Sequence, residues 1–221
     1  MQDLDVFRAI QRMLSRKVVV RDAFRLPVTR IAGIDLAFAG ELAITACVVT
    51  SLPPTTIFAQ KTLRRNLDFP YVSAFMGFRE GPPIIDIINT LETKADLFLI
   101  NAHGLAHPRY CGCASHVGVL TGVATIGVAA RNLCGVYDCG PQEVGDAVAV
   151  YCNGRQVGWV CQSKEGCQPI FVSPGHKIGL ASSLKMVKAC LIDHKLPEPL
   201  WLAHRLANNE KRRVCSTATK M

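Results

Sequence analysis

Three oxygen-bearing side chains stand where local preference does not put them. Asp35 lies inside the apolar run IAGIDLAF, Glu80 closes FMGFRE just before Gly81-Pro82-Pro83, and Asn101 ends LFLIN ahead of AHGLAHP. A carboxylate within an apolar strand is costly unless it is paired, hydrogen-bonded or metal-bound. Glu80 falls at the carboxyl end of a helical segment, where the helix dipole disfavours an acid, so its position points to a specific task. If the strands that carry residues 35 and 101 are neighbours, with Glu80 above them, the three groups form an oxygen-rich site for magnesium. Such a site suits metal-assisted attack of water on a phosphodiester. Spacing leaves a second reading of Asp35 open, that of a carboxylate buried in an ion pair. Asp96 begins the strand that Asn101 ends, which is the wrong end for this site, and Asp138 is a further acid to consider. His103 and His107 bracket a glycine and precede a proline, so they do not share a regular helix and are not read as a zinc pair.

The elements that would position these residues follow from periodicity. Leu4, Phe7, Ile10 and Leu14 recur at helical spacing, which predicts a leading helix over residues 4–20. Strands are expected at 30–38, 42–50 and 56–63, joined by short turns as an antiparallel meander. Residues 73–92 read as one or two helical pieces broken near Gly81-Pro82-Pro83. The run from Asp96 to Ile100 has no alternation, as in a central strand covered on both faces. A helix over 115–121 and a buried strand over 124–128 follow, then a turn-rich stretch from Gly135 to Gly154. Strands over 157–161 and 170–172 and helices over 180–192 and 201–208 complete the chain. Antiparallel strands first and parallel strands afterwards predict an α/β fold, a mixed central sheet with helices on both faces, in a single domain over residues 1–221.

Composition narrows the class. The 221 residues are 49% hydrophobic and 19% charged, as in a globular chain rather than a disordered one. No stretch is long and apolar enough to span a membrane, and MQDLDVFRAIQRMLSRK mixes acids and bases unlike a secretory signal. A cytoplasmic protein is the expectation, with its ten cysteines as reduced thiols, none of them in a C-x-x-C pair. The net charge of +8, with Arg64-Arg65 and Lys211-Arg212-Arg213 as local clusters, suits a polyanionic partner.

The segments IAGIDLAF, FPYVSAFMGFRE, NAHGLAHPRYCGCASHVG, ATIGVAARNLCG, QPIFVSPGHKI and KLPEPLWLAHRLA resemble the endonuclease V family in order and spacing, across almost the whole chain. The resemblance implies an RNase H-like fold. It also implies a magnesium-dependent nuclease, with manganese as a substitute, that nicks DNA or RNA 3′ to inosine or deoxyinosine and acts as a monomer. By position, Asp35, Glu80 and Asn101 match the metal and catalytic residues, and His176 matches a histidine near the metal. Tyr71 matches an aromatic wedge that fills the gap left by a flipped base, a role in which a ring replaces lost stacking. Ala74, Met76 and Gly112 match parts of the base pocket, and Gly104 and His107 the loop that approaches the nucleic acid. Arg79 and Lys177 are further candidates for nucleic-acid contact.

The resemblance fails at informative positions. Asn101 stands where the family has its second metal-binding aspartate, Ala130 where it has a lysine, Ala181 where it has another aspartate, and Ser73 where it has the wedge proline. At an effective dielectric near 20, one charge lost at close range is worth roughly 4 kcal/mol before compensation. Two expectations therefore stand side by side. One is a nuclease with weakened chemistry; the other is a protein that binds inosine without cutting.

Overall fold

Helical spacing at the amino terminus and alternating or continuous apolar runs after it give six helices and eight strands in the computed structural model, which describes residues 4–218. In chain order these are α1 (Leu4–Ser15), β1 (Arg30–Ala39), β2 (Leu42–Ser51), β3 (Ile57–Asn66), α2 (Met76–Arg79), α3 (Gly81–Asn89) and β4 (Leu97–Ile100). They are followed by α4 (Cys113–Thr121), β5 (Thr125–Ala129), β6 (Ala147–Cys152), β7 (Arg155–Cys161), β8 (Ile170–His176), α5 (Leu180–Lys188) and α6 (Glu198–Ala218). All eight strands form one sheet in the order β3-β2-β1-β4-β5-β8-β7-β6.

The meander β1-β2-β3 is antiparallel, and β1, β4 and β5 run parallel. This is the mixed α/β sheet that the sequence predicts, RNase H-like as the family resemblance implies. Beyond β5 the sheet continues antiparallel through β8, β7 and β6, not parallel as expected, with the tight Asn153-Gly154 turn folding β7 back along β6. β6 is a strand where the sequence reads only as turn-rich. Its alternation is masked by small residues and by the Gly145 and Gly154 turns on either side, and pairing with β7 decides it.

Two apolar layers cover the sheet. On one face Ala32, Ile34, Phe98 and Ile100 pack against Ile84 and Ile87 of α3 and Ala114 and Val117 of α4. On the other, Ile31, Leu97, Leu99 and Ile126 pack against Val187 and Cys190 at the end of α5 and Leu200 of α6. Alternation along β1 therefore puts Ile31, Gly33, Asp35 and Ala37 on the α6 side. Helix α6 runs from Glu198 to Ala218, well past the expected 201–208, because its second half is polar and carries no apolar period to read. The break between α2 and α3 lies at Glu80, with prolines in the first turn of α3, where a missing N–H costs nothing. Among the described residues no helix is long and apolar enough to cross a membrane.

Candidate active site

Parallel pairing of β1 with β4 fixes the heart of the site. Ile34 lies opposite Ile100, and the Asn101 backbone N–H donates to the Ile34 carbonyl, so residue 101 emerges beside Asp35. The Asn101 amide donates through Nδ2 to Asp35 Oδ1 at 2.9 Å. The same oxygen accepts from the Leu36 N–H at 2.8 Å, and Asp35 Oδ2 pairs with His204 Nδ1 at 2.7 Å. Asp35 is buried, while His204 on α6 is half-exposed. The hydrogen bond to Asp35 raises the His204 pKa above the ordinary 6.5, with burial pulling the other way.

Glu80 reaches the same place from the α2–α3 junction. It is 8% exposed. Burial first, and the negative charge of Asp35 second, push its pKa from the ordinary 4.5 up to about 7, with Arg79 pulling the other way. Two buried carboxylates that repel one another, beside an amide oxygen, are the hard donors a divalent cation takes, and a cation would relieve the repulsion. The donor set fits such an ion, with one formal charge fewer than three carboxylates would give. Among the described residues no three acids, histidines or cysteines cluster as a metal group.

A pH effect follows. As pH rises, the unfolded chain loses the Glu80 proton near 4.5 and the native chain near 7, so stability is full below this window and declines across it. The total is on the order of 3 kcal/mol. Glu80→Gln is expected to remove that slope, becoming more stable than the natural chain at about pH 8 and not at about pH 4 in urea unfolding. Parallel curves for the two proteins would show that Glu80 titrates normally.

Next to Glu80 and Asn101 opens a mostly apolar cavity of about 300 Å³, whose walls include Ala74, Met76, Gly77, His107, Gly112, Ala130 and Arg131. The Ala74 carbonyl holds its rim together. It accepts from Gln11 Nε2 at 2.8 Å, Arg109 Nη2 at 3.1 Å and His107 Nε2 at 2.9 Å. His107 Nδ1 accepts from the Arg109 N–H at 3.1 Å, so the proton sits on Nε2. Burial lowers the pKa of both His107 and His103 to about 4, so both rings are neutral at pH 7. Tyr71, three residues before Ala74, is 72% exposed. On the other side of Asp35, His204, Arg205, Asn208, Asn209 and Arg212 line a polar concavity on α6.

Four of the expected site residues do not join this cluster. His176 was expected near the metal, but β8 runs antiparallel to β5. Its His176 end pairs with Thr125 at the start of β5, three strands from β1 and towards the opposite edge of the sheet. There His176 Nδ1 accepts from the Val19 N–H at 3.3 Å. Lys177 belongs to the same end, its Nζ donating to the Gly122 carbonyl at 2.5 Å. Arg79 is turned inward: it donates to the Phe69 carbonyl at 2.6 Å and lies over the Phe38 ring, so it braces the segment leading to Tyr71. Gly104 needs its missing side chain for a different neighbour than expected. A Cβ there would lie 2.1 Å from the Pro174 carbonyl oxygen, so the close approach is to β8. Ala181 is exposed at the start of α5, beyond His176, and its departure from the family pattern does not touch the cluster. Asp96 caps the opposite end of β1 through Thr29 and Arg30, and Asp138 is exposed.

Sequence reasoning missed His204 and Gln11. His204 lies one helical turn from Leu200 and Asn208 and next to buried Ala203, but its partner is 169 residues away in the chain. Gln11 is a fully buried amide on the inner face of α1, 1% exposed, and a polar residue in an amphipathic stripe was its one signal.

Comparison with known proteins gives the family and the fold. The endonuclease V family profile matches residues 12–205. Endonuclease V of Roseiflexus sp. (strain RS-1) is 36% identical over 202 residues, which cover 91% of this chain and 90% of that protein. Among solved structures, endonuclease V from Streptomyces avermitilis superposes with a TM-score of 0.85 at 31% identity, covering 96% of this chain and 92% of the other. Ciona intestinalis endonuclease V in complex with a 24mer DNA containing an inosine followed by a ribo-adenosine gives 0.84 at 27% identity, covering 96% and 98%. Sequence and backbone thus agree along nearly the whole length, from the helix that carries Gln11 to the helix that carries His204, and the chain belongs to the endonuclease V family.

Proposed function

We propose that this protein recognises deaminated purines, inosine or deoxyinosine, in DNA or RNA and nicks the strand 3′ to the lesion with magnesium, or manganese in its place, at a reduced rate. One observation carries the reading: Asp35, Glu80 and Asn101 converge at the edge of an apolar cavity of a size to take a purine base. The relative from Ciona, solved with inosine-containing DNA, supports the same ligand class. Tyr71 stacks in the gap left by the extruded base, and its exposure leaves it free to do so. The neutral His107 keeps the Ala74 rim in place without adding charge to the pocket. Arg205 and Arg212, in the concavity beside His204, lie where backbone phosphates would follow the strand away from the site. Asp35, Glu80 and the Asn101 carbonyl oxygen would hold the cation, which would supply Lewis-acid activation of water and charge stabilisation at the leaving oxygen. His204 fixes the Asp35 carboxylate, and the apolar walls exclude competing water from the base.

Incubation of an inosine-containing oligonucleotide with magnesium or manganese tests this. A slow metal-dependent nick, absent in Glu80→Ala, is the expected result; no nick above that control rejects cleavage. Tyr71→Ala is expected to weaken binding to an inosine-containing strand about tenfold, as loss of one stacking contact does. Because the ring is exposed, its stability should change by less than about 0.5 kcal/mol. Equal affinity of the two proteins would remove the wedge from the reading.

A second reading rests on a specific contact. The Asn101 amide presents its N–H, not its oxygen, to Asp35 and so occupies a carboxylate oxygen that a cation would otherwise take. On that reading the protein binds inosine without cutting. Its expected signature is a preference for inosine over adenosine that falls with salt, with no nick under either metal.

A further inference from the structure

We propose that Cys134 and Cys152 form a dithiol modification site, which a small-molecule disulfide such as oxidised glutathione converts to an intrachain disulfide that fixes one wall of the base pocket. Five of the ten cysteines, Cys47, Cys111, Cys113, Cys161 and Cys190, are buried at 0–2% exposure. Cys134 and Cys152 are different: both are half-buried, and their Sγ atoms lie 3.4 Å apart in a thiol–thiol hydrogen bond. The backbone holds them there. Val136 and Tyr151 form an antiparallel bridge with N–H···O distances of 2.8 and 2.9 Å, which presses the segment after β5 against the edge of β6. Cys152 is further fixed at the mouth of the β6–β7 hairpin, where Tyr110 Oη donates to its carbonyl at 3.3 Å. Disulfide bonding places Sγ atoms about 2.0 Å apart, and the pair therefore needs only a small side-chain rotation, with no new chain path.

The location gives the bond its consequence. Ala130, Arg131 and Leu133, immediately before Cys134, line the cavity beside Glu80 and Asn101. In the reduced protein this segment is held by the Val136 bridge and by the Asn132 side chain, which donates to the Gly135 carbonyl. A covalent tie one residue from the wall would restrict its opening. That this wall faces a base rests on the function proposed above; the bond itself does not.

The chemistry balances without any other reagent. Cys152, deprotonated, attacks one sulfur of oxidised glutathione, forming a mixed disulfide and expelling one glutathione thiolate, which takes up a proton. Cys134 then loses its proton to solvent and attacks Cys152 Sγ, expelling the second glutathione. Two protein thiols are oxidised and one glutathione disulfide is reduced to two thiols. Burial, and secondarily the hydrogen bond to Cys152, push the Cys134 pKa up to about 12, which disfavours it as the first attacker; in the second step its position 3.4 Å from Cys152 Sγ offsets the scarcity of its thiolate.

The test treats the full chain with oxidised glutathione under native conditions and maps peptides without reduction, alongside amide exchange of residues 131–136. The expected results are a Cys134–Cys152 cross-linked peptide and exchange about tenfold slower in that segment than in the reduced protein. Cys134→Ser should instead keep glutathione on Cys152 and exchange at the reduced rate. The proposal is overturned if the natural chain also stops at the mixed disulfide, or if the cross-link forms and exchange of the segment is unchanged. Neither readout involves nucleic acid, so failure here is distinct from failure of the inosine reading.

Discussion

Asn101→Asp together with Ala130→Lys is expected to raise the single-turnover rate of magnesium-dependent nicking about a hundredfold over the natural chain. Both positions line the same cavity as Glu80, so the new carboxylate and the new ammonium enter the site. The carboxylate supplies the charge that an amide lacks, and it removes the N–H that now occupies Asp35 Oδ1. The ammonium offsets charge developing on the phosphate, which an alanine cannot do. The gain should need both changes, because each acts on a different part of the transition state. A cost accompanies it. A third acid, half-buried beside Asp35 and Glu80, adds to the repulsion that, after burial, already helps raise the Glu80 pKa to about 7. Without a divalent cation the double variant should therefore melt below the natural chain, and added magnesium should restore it more than it restores the natural chain. Glu80→Ala in the restored background should return nicking to baseline. If the double variant cuts no faster under either metal, the scaffold has lost more than these two groups, and inosine binding without cleavage becomes the better account.

The second large effect concerns stability. Gly33→Ala is expected to cost about 3 kcal/mol, because the new methyl would enter backbone atoms that cannot rotate away. A Cβ at residue 33 would lie 2.2 Å from both the carbonyl carbon and oxygen of Pro199 and 2.5 Å from the Leu200 nitrogen. This is where α6 is seated on β1, one alternation away from Asp35, so relief of the clash must lift the helix that brings His204 to its partner. Urea unfolding at fixed pH should show the loss as a lower midpoint with little change in slope. Amide exchange should rise in α6 before it rises in α3. Gly140, with open space around it and no such demand, supplies the comparison: Gly140→Ala should change stability by less than about 0.5 kcal/mol. A Gly33→Ala protein as stable as that control would mean α6 does not rest on β1 as described.

The sequence by itself determined that the segments around residues 35 and 96–100 are strands and that the first carries an acid among apolar neighbours, while their pairing stayed a condition that the structure meets. A continuous apolar run ending in Asn101 reads as a strand covered on both faces, and IAGIDLAF as a strand that carries an acid among apolar neighbours. Once β1 and β4 run parallel, register alone sets residue 101 beside residue 35. The loss of charge at 101 and the missing lysine at 130 were legible only through the resemblance to the endonuclease V family, which says what those positions ordinarily carry. What tertiary structure decided is everything that depends on which end of a distant strand faces the site, or on which helix crosses above it. The local sequence of β8 carries no mark of its direction, so His176 and Lys177 read like site residues until pairing with β5 sends them to the far edge. Arg79 reads as a free cation until the Phe69 carbonyl and the Phe38 ring take it inward. His204 and Gln11 read as ordinary helix residues until long-range packing turns one onto Asp35 and the other onto the Ala74 carbonyl. Alternation and helical period are properties of neighbours along the chain, whereas a site assembled from both ends of the chain is fixed by contacts whose energies no local window contains.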